Sequence, residues 1–159
     1  METTERKIER LAATYLRSKD QLNDIELPTL YEITEYINKE FDNLPCEVEF
    51  VDKPMDDFEE VKDILNRYNK LVISKLNNNS SLFSQELNLK FRAIHDSVHV
   101  AHNLPFDFEG EYESWKIQCS NLSHKAKQVF FSEIVMQAAF FLFNGYFAER
   151  QKIVLIDQF

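Results

Sequence analysis

A chain of 159 residues with 44% hydrophobic residues is long enough to bury one proper core and too apolar to be a disordered segment. Its formal net charge of −9 argues against nucleic acid and anionic membrane surfaces, which are bound through Lys and Arg. An acidic protein that imitates nucleic acid would be the exception. With only two Gly and four Pro, tight turns are scarce. The expectation is therefore a mostly α fold: a single helical domain over residues 1–159, with at most a small two-stranded β element. Two isolated cysteines, Cys46 and Cys119, form no metal-knuckle or disulfide pattern and read as free thiols of a reducing cytoplasm. The first residues, METTERKIERLAATYL, are charged and amphipathic, without the apolar stretch of a secretory leader.

In chain order, Thr3 to about Ser18 carries Ile8, Leu11, Ala12, Tyr15 and Leu16 at helical spacing. A polar connector, Asp20–Glu26, leads to Pro28, where a second helix can begin, with an apolar stripe from Leu30 to Phe41. Cys46–Asp52 alternates apolar and acidic residues as a short strand does. Met55–Tyr68 reads as a helix and Leu71–Ser74 as a second strand, so the two strands would form a small parallel pair. Asn77–Ser81 is a loop. A helix then runs from Gln85 to about His102 and stops at Leu104-Pro105. Pro105–Gly110 reads as a loop, and the next helix starts at Glu111. Ser123 caps a last long helix that reaches about Glu149, and Ile153–Ile156 is a short apolar tail. Val129–Phe147 approaches the length of a membrane span. Ser132, Glu133, Gln137 and Asn144 interrupt it, so it reads as the central buried helix.

The chemistry concentrates in one short segment, HDSVHVAHNLPFDFEGE. Three of the four histidines, His95, His99 and His102, lie in it. His95 and His99 are one helical turn apart and can point the same way, which suits two ligands of one metal ion. Asp96 can ligate or orient an imidazole. Pro105 and Gly110 bracket a loop able to bring Glu111 back over the same face. Two histidines and two carboxylates suit zinc or another first-row divalent ion. His102 reads as a surface or capping residue.

The pattern His-Asp-x-x-His-x11-Glu is similar to the zinc motif of the Coq4 family of ubiquinone-biosynthesis proteins, down to the Gly-Glu that closes the loop, here Gly110-Glu111. The resemblance implies an all-helical fold, with His95, Asp96, His99 and Glu111 as zinc ligands. It also implies an activity related to oxidative decarboxylation of a polyprenylated quinone precursor. It covers about seventeen residues, and the strand–helix–strand segment before Asn77 has no counterpart in it. FRAIHD, FDFEGE, SEIVMQ and QKIVLID, in that order, resemble an uncharacterised family of phage and bacterial proteins, with His99 one position earlier than that family's second His. That resemblance implies a phage-like protein acting in the host cytoplasm.

Glu133 and Gln137 stand four apart in an otherwise apolar helix. A buried carboxylate there needs a partner. Glu133 could be a further ligand or a general base and Gln137 could position water or substrate, the catalytic pair of a metal enzyme. Alternatively Glu133 pairs with Arg92, Lys125 or Arg150 in a structural network. Trp115 and the Phe-rich stripe read as core, and Cys119 as a packed thiol. No phosphate-binding or dinucleotide glycine motif exists. No His precedes His95, which removes the HD-type phosphohydrolases. Asp in place of Glu in HDSVH weakens the analogy with HExxH proteases. Two functions follow: a metal-dependent enzyme acting on a small molecule, or an acidic accessory protein that binds a host protein and carries a structural metal.

Overall fold

A computed structural model of the chain describes all 159 residues. It has six helices and one two-stranded parallel sheet, in the order α1 (Thr4–Arg17), α2 (Leu27–Asp42), β1 (Glu47–Val51), α3 (Phe58–Tyr68), β2 (Lys70–Ser74), α4 (Gln85–Ala101), α5 (Phe108–Gln118) and α6 (His124–Asn144). The mostly helical class and the small β element are as the composition and periodicity anticipate.

Each start has a local cause. Thr3, Asp57, Ser84, Asp107 and Ser123 cap α1, α3, α4, α5 and α6 by accepting hydrogen bonds from first-turn N–H groups. Pro28 lies in the first turn of α2, where its missing N–H costs nothing. β1 pairs with β2 in register Glu47↔Lys70 through Val51↔Ser74, and α3 is the crossover that a parallel pair requires.

Three boundaries differ from the sequence reading. The α3 helix starts at Phe58, not Met55, because Asp57 is its cap. The α5 helix starts at Phe108, so Glu111 lies within its first turn rather than opening it. The last helix ends at Asn144, not Glu149, because Gly145 turns left-handed at φ +80°.

Two apolar clusters hold the chain together. The larger joins Leu11 and Tyr15, Ile33 and Ile37, Phe91 and Ile94, Trp115, and the inner face of α6 around Phe130, Phe131 and Val135. The smaller joins Val61, Leu71, Val72 and Ile73 to Ala93 of α4. The α4 helix therefore belongs to both. Arg92 fastens the junction, donating to the carbonyls of Ser74, Leu76 and Asn77 at 2.6–2.9 Å.

The α6 helix is long and apolar enough to cross a membrane, and 56% of its most apolar window is buried inside the fold. In its middle, Ser132–Met136 forms a π turn. Ser132 is buried there, accepting from Val154 N–H at 2.9 Å and donating to the Lys152 carbonyl, so the apolar tail Ile153–Val154 docks against the helix.

Candidate metal centre

His95 and His99 project from one face of α4, and Glu111 meets them from the first turn of α5. Between the helices the chain reverses at Asn103, which is left-handed at φ 52°. Leu104 N–H then donates to the His99 carbonyl at 2.8 Å. Asp107 caps α5 by accepting from Gly110 N–H at 2.8 Å. A Cβ at Gly110 would be driven into the Pro105 carbonyl oxygen, so only glycine lets the loop close this tightly. The helix N-terminus also favours the Glu111 carboxylate.

Three donor atoms converge. His95 Nε2 lies 2.7 Å from Glu111 Oε2, His99 Nε2 lies 3.3 Å from the same oxygen, and the two Nε2 atoms are 3.0 Å apart. These three groups can hold one metal ion. The His99 side chain is fully buried, and His95 and Glu111 are 13% and 20% exposed. Phe91 stacks on the His95 ring, and Phe106 meets the His99 ring edge-on.

The far side of each ring decides what the near side offers. His99 Nδ1 is 2.7 Å from the Leu104 carbonyl oxygen, which can only accept, so Nδ1 carries the hydrogen. His95 Nδ1 lies 3.0 Å from Gln118 Oε1, and with the amide oxygen so placed the ring hydrogen sits on Nδ1. In their neutral forms both rings therefore present an Nε2 lone pair to the carboxylate oxygen. Three lone pairs this close repel unless a cation lies between them. Donors at about 2.0–2.1 Å from one ion stand roughly 2.9–3.4 Å apart, near the spacing found here.

Without a metal, a proton plays the cation's part. Burial alone would depress His95, but the Glu111 carboxylate, with Asp96 behind it, lifts its pKa to about 9. Burial likewise pushes Glu111 upward, and the two imidazoles reverse this and hold it at about 2.

The remaining candidates fall elsewhere. Asp96 is not among the three converging donors. It lies beside them, where burial pushes its carboxyl up to about 6 against the pull of His95 and His99. His102 is exposed and forms the C-cap of α4. Glu133 is not among the three converging donors either. It pairs with Gln137, whose Nε2 donates to Glu133 Oε2 at 3.2 Å, and it bears on Tyr15 of α1. Glu133 Oε1 has no partner, and burial pushes the carboxyl up to about 7. None of Arg92, Lys125 or Arg150 is its counter-ion: Lys125 pairs with Glu26 and Arg150 with Asp20. The three converging donors thus lie between α4 and α5.

Sequence reasoning missed Gln118 and the Leu104 carbonyl. Gln118 had a signal: it stands two helical turns after Glu111, on the same face, with the small buried Ser114 between them. The Leu104 carbonyl is backbone and had none.

Comparison of the chain with protein-family models, curated proteins and solved structures finds no match.

Proposed function

We propose that this is a zinc-binding protein, with another first-row divalent ion as the alternative, whose metal serves a reaction on a small molecule. One observation carries the metal: two imidazoles with their Nδ1 hydrogens tied down turn both Nε2 lone pairs onto one carboxylate oxygen. Backing of ligand histidines by outer acceptors is the usual construction of such sites. Two histidines and one carboxylate also leave coordination positions for water or substrate, as catalytic metals require. A cation held there would polarise a carbonyl or acidify a bound water. The chain's own residues orient the donors, exclude bulk water from His99 and supply a negative charge at Glu111. The resemblance to the Coq4 zinc motif supports the same donors and favours zinc. It adds Asp96 as a fourth ligand and makes a lipid-like quinone precursor a candidate substrate.

The test is elemental analysis of tag-free protein, with about one metal ion per chain expected. Metal-free protein that gains no stability from added zinc, iron(II) or manganese would overturn the reading. His99→Ala and Glu111→Ala should each lose the ion.

A second reading, an accessory protein that docks on a host protein around a structural metal, has its own observation. Leu142, Phe143, Tyr146 and Phe147 at the end of α6 are 48–62% exposed. Clustered exposed apolar residues of this kind mark interaction surfaces. Under this reading, metal removal unfolds α4–α5 and no small molecule reaches the ion.

A further inference from the structure

The small sheet has one closed edge and one open edge. On the closed side, Leu71, Val72 and Ile73 of β2 are buried, and the Ser74 carbonyl is taken by Arg92. On the open side lies β1. Its ladder runs from Glu47 N–H on the Asn69 carbonyl at 3.1 Å to Lys75 N–H on the Val51 carbonyl at 2.8 Å. In a parallel pair alternate residues bond the neighbour, so Glu47, Glu49 and Val51 face β2. Val48 and Phe50 therefore turn their N–H and C=O groups outward. No third strand lies there, and no backbone hydrogen bond outside the ladder engages them. Such a row of free backbone groups is a template for another extended chain.

The side chains of β1 say what that chain is. They alternate across the pleat, with Val48 and Phe50 half-buried against the smaller apolar cluster on one face and Glu47 and Glu49 exposed on the other. Residues 40–60 carry nine acidic side chains, all exposed, and one basic one, Lys53. Eight of the nine net negative charges of the protein are thus gathered on β1 and the segments that flank it. Among these acids only Glu49 and Asp52 meet a lysine, Lys70 and Lys75. A second copy on this edge would bring the same excess against itself, and like charges directly opposite destabilise a ladder. A basic segment meets a complementary field instead.

We propose that the open edge of β1 receives an extended segment of another protein in which basic and apolar residues alternate. The segment's backbone bonds Val48 and Phe50, adding a third strand to the sheet. Its apolar side chains extend the Val48–Phe50 face, and its lysines or arginines lie beside Glu47 and Glu49. The pairing holds whether or not the α4–α5 cluster carries a metal, so the two readings fail separately.

The test titrates the whole chain with the end-capped peptide Lys-Val-Lys-Val-Lys-Val, read by fluorescence anisotropy and by NMR of ¹⁵N-labelled protein. The proposal expects the Val48 and Phe50 amide signals to shift saturably and their hydrogen exchange to slow. The block isomer Lys-Lys-Lys-Val-Val-Val and the acidic Glu-Val-Glu-Val-Glu-Val should bind at least about tenfold more weakly. Val48→Pro removes an outward N–H that β2 does not use, and it should weaken the alternating peptide by about tenfold or more. Peptide variants serve if that protein does not fold, since N-methylation of every valine or of every lysine blocks alternate N–H groups. One of the two should lose binding and the other keep it, reporting an antiparallel or a parallel partner. No shift at Val48 and Phe50 at low-millimolar peptide, equal binding of the block isomer, unchanged affinity in folded Val48→Pro, or like behaviour of the two methylated peptides would overturn the proposal. So would a concentration-dependent dimer that protects the same two amides without peptide, which would assign the edge to a second copy.

Discussion

Two residues decide what the cluster can hold, and neither is a donor to the ion. The Leu104 carbonyl fixes which nitrogen of His99 carries hydrogen, and the Gln118 amide holds the corresponding nitrogen of His95. Replacing Gln118 with Leu keeps the bulk but frees His95 to turn or to change tautomer. Metal affinity should then fall about 10–100-fold, as outer-ligand changes do, with His95, His99 and Glu111 intact; a competition titration with a chromogenic chelator measures it. Glu133 gives a separate prediction. Its carboxyl ionises near 4.5 in the unfolded chain and near 7 in the folded one. The stability associated with its neutral form is present below about pH 4.5 and is lost as pH rises through 7, by up to roughly 3 kcal/mol. Glu133→Gln keeps an acceptor for Gln137 and has no charge to bury. It should match the parent near pH 4 and exceed it in urea unfolding at pH 8. Equal stability at both pH values would show that Glu133 is already solvated or paired.

The α4–loop–α5 unit is the element on which the site depends. Gly110→Ala would force the Pro105–Gly110 loop apart and cost about 1–3 kcal/mol, with Glu111 carried out of reach of the histidines. Urea unfolding and zinc titration of one sample should therefore worsen together. This unit was partly legible beforehand. The strict spacing of His95, His99 and Glu111 is a local pattern, and two histidines four apart on a helix share a face whatever surrounds them. The strands were legible for a similar reason, since Cys46–Asp52 alternates residue by residue. The start of α5 was misread because Pro105, Gly110 and two acids look like loop, whereas Asp107 acts as a cap. The end of α6 was overrun because the Phe-rich run continues past Gly145, and only the left-handed backbone there stops the helix. Glu133 was read as a further ligand or general base from its place, four residues before Gln137, in an otherwise apolar helix. Which face of a long buried helix meets which neighbour depends on packing across the whole chain, and no local spacing records it.

At the scale of the whole molecule, an ion held at the cluster would contribute through mass action. A metal present at about a hundred times its dissociation constant adds about 2.7 kcal/mol, worth roughly 5–10 °C in melting temperature for a chain of this size. Differential scanning fluorimetry with zinc and with a chelator should show that interval, and His99→Ala should abolish it. The exposed aromatic end of α6 is a separate whole-molecule feature. Phe143→Ser with Phe147→Ser should leave zinc binding unchanged and reduce self-association in concentrated solution, as read by light scattering.

The inner cluster and both outer acceptors lie within residues 95–118, a contiguous helix–loop–helix. Seen as heredity, a site written in one uninterrupted stretch of coding sequence can be exchanged whole. One short recombination event would transplant the donors, their outer acceptors and the closing glycine onto any helical scaffold with room for two antiparallel turns. Point mutation would then be left to reshape the surrounding surface.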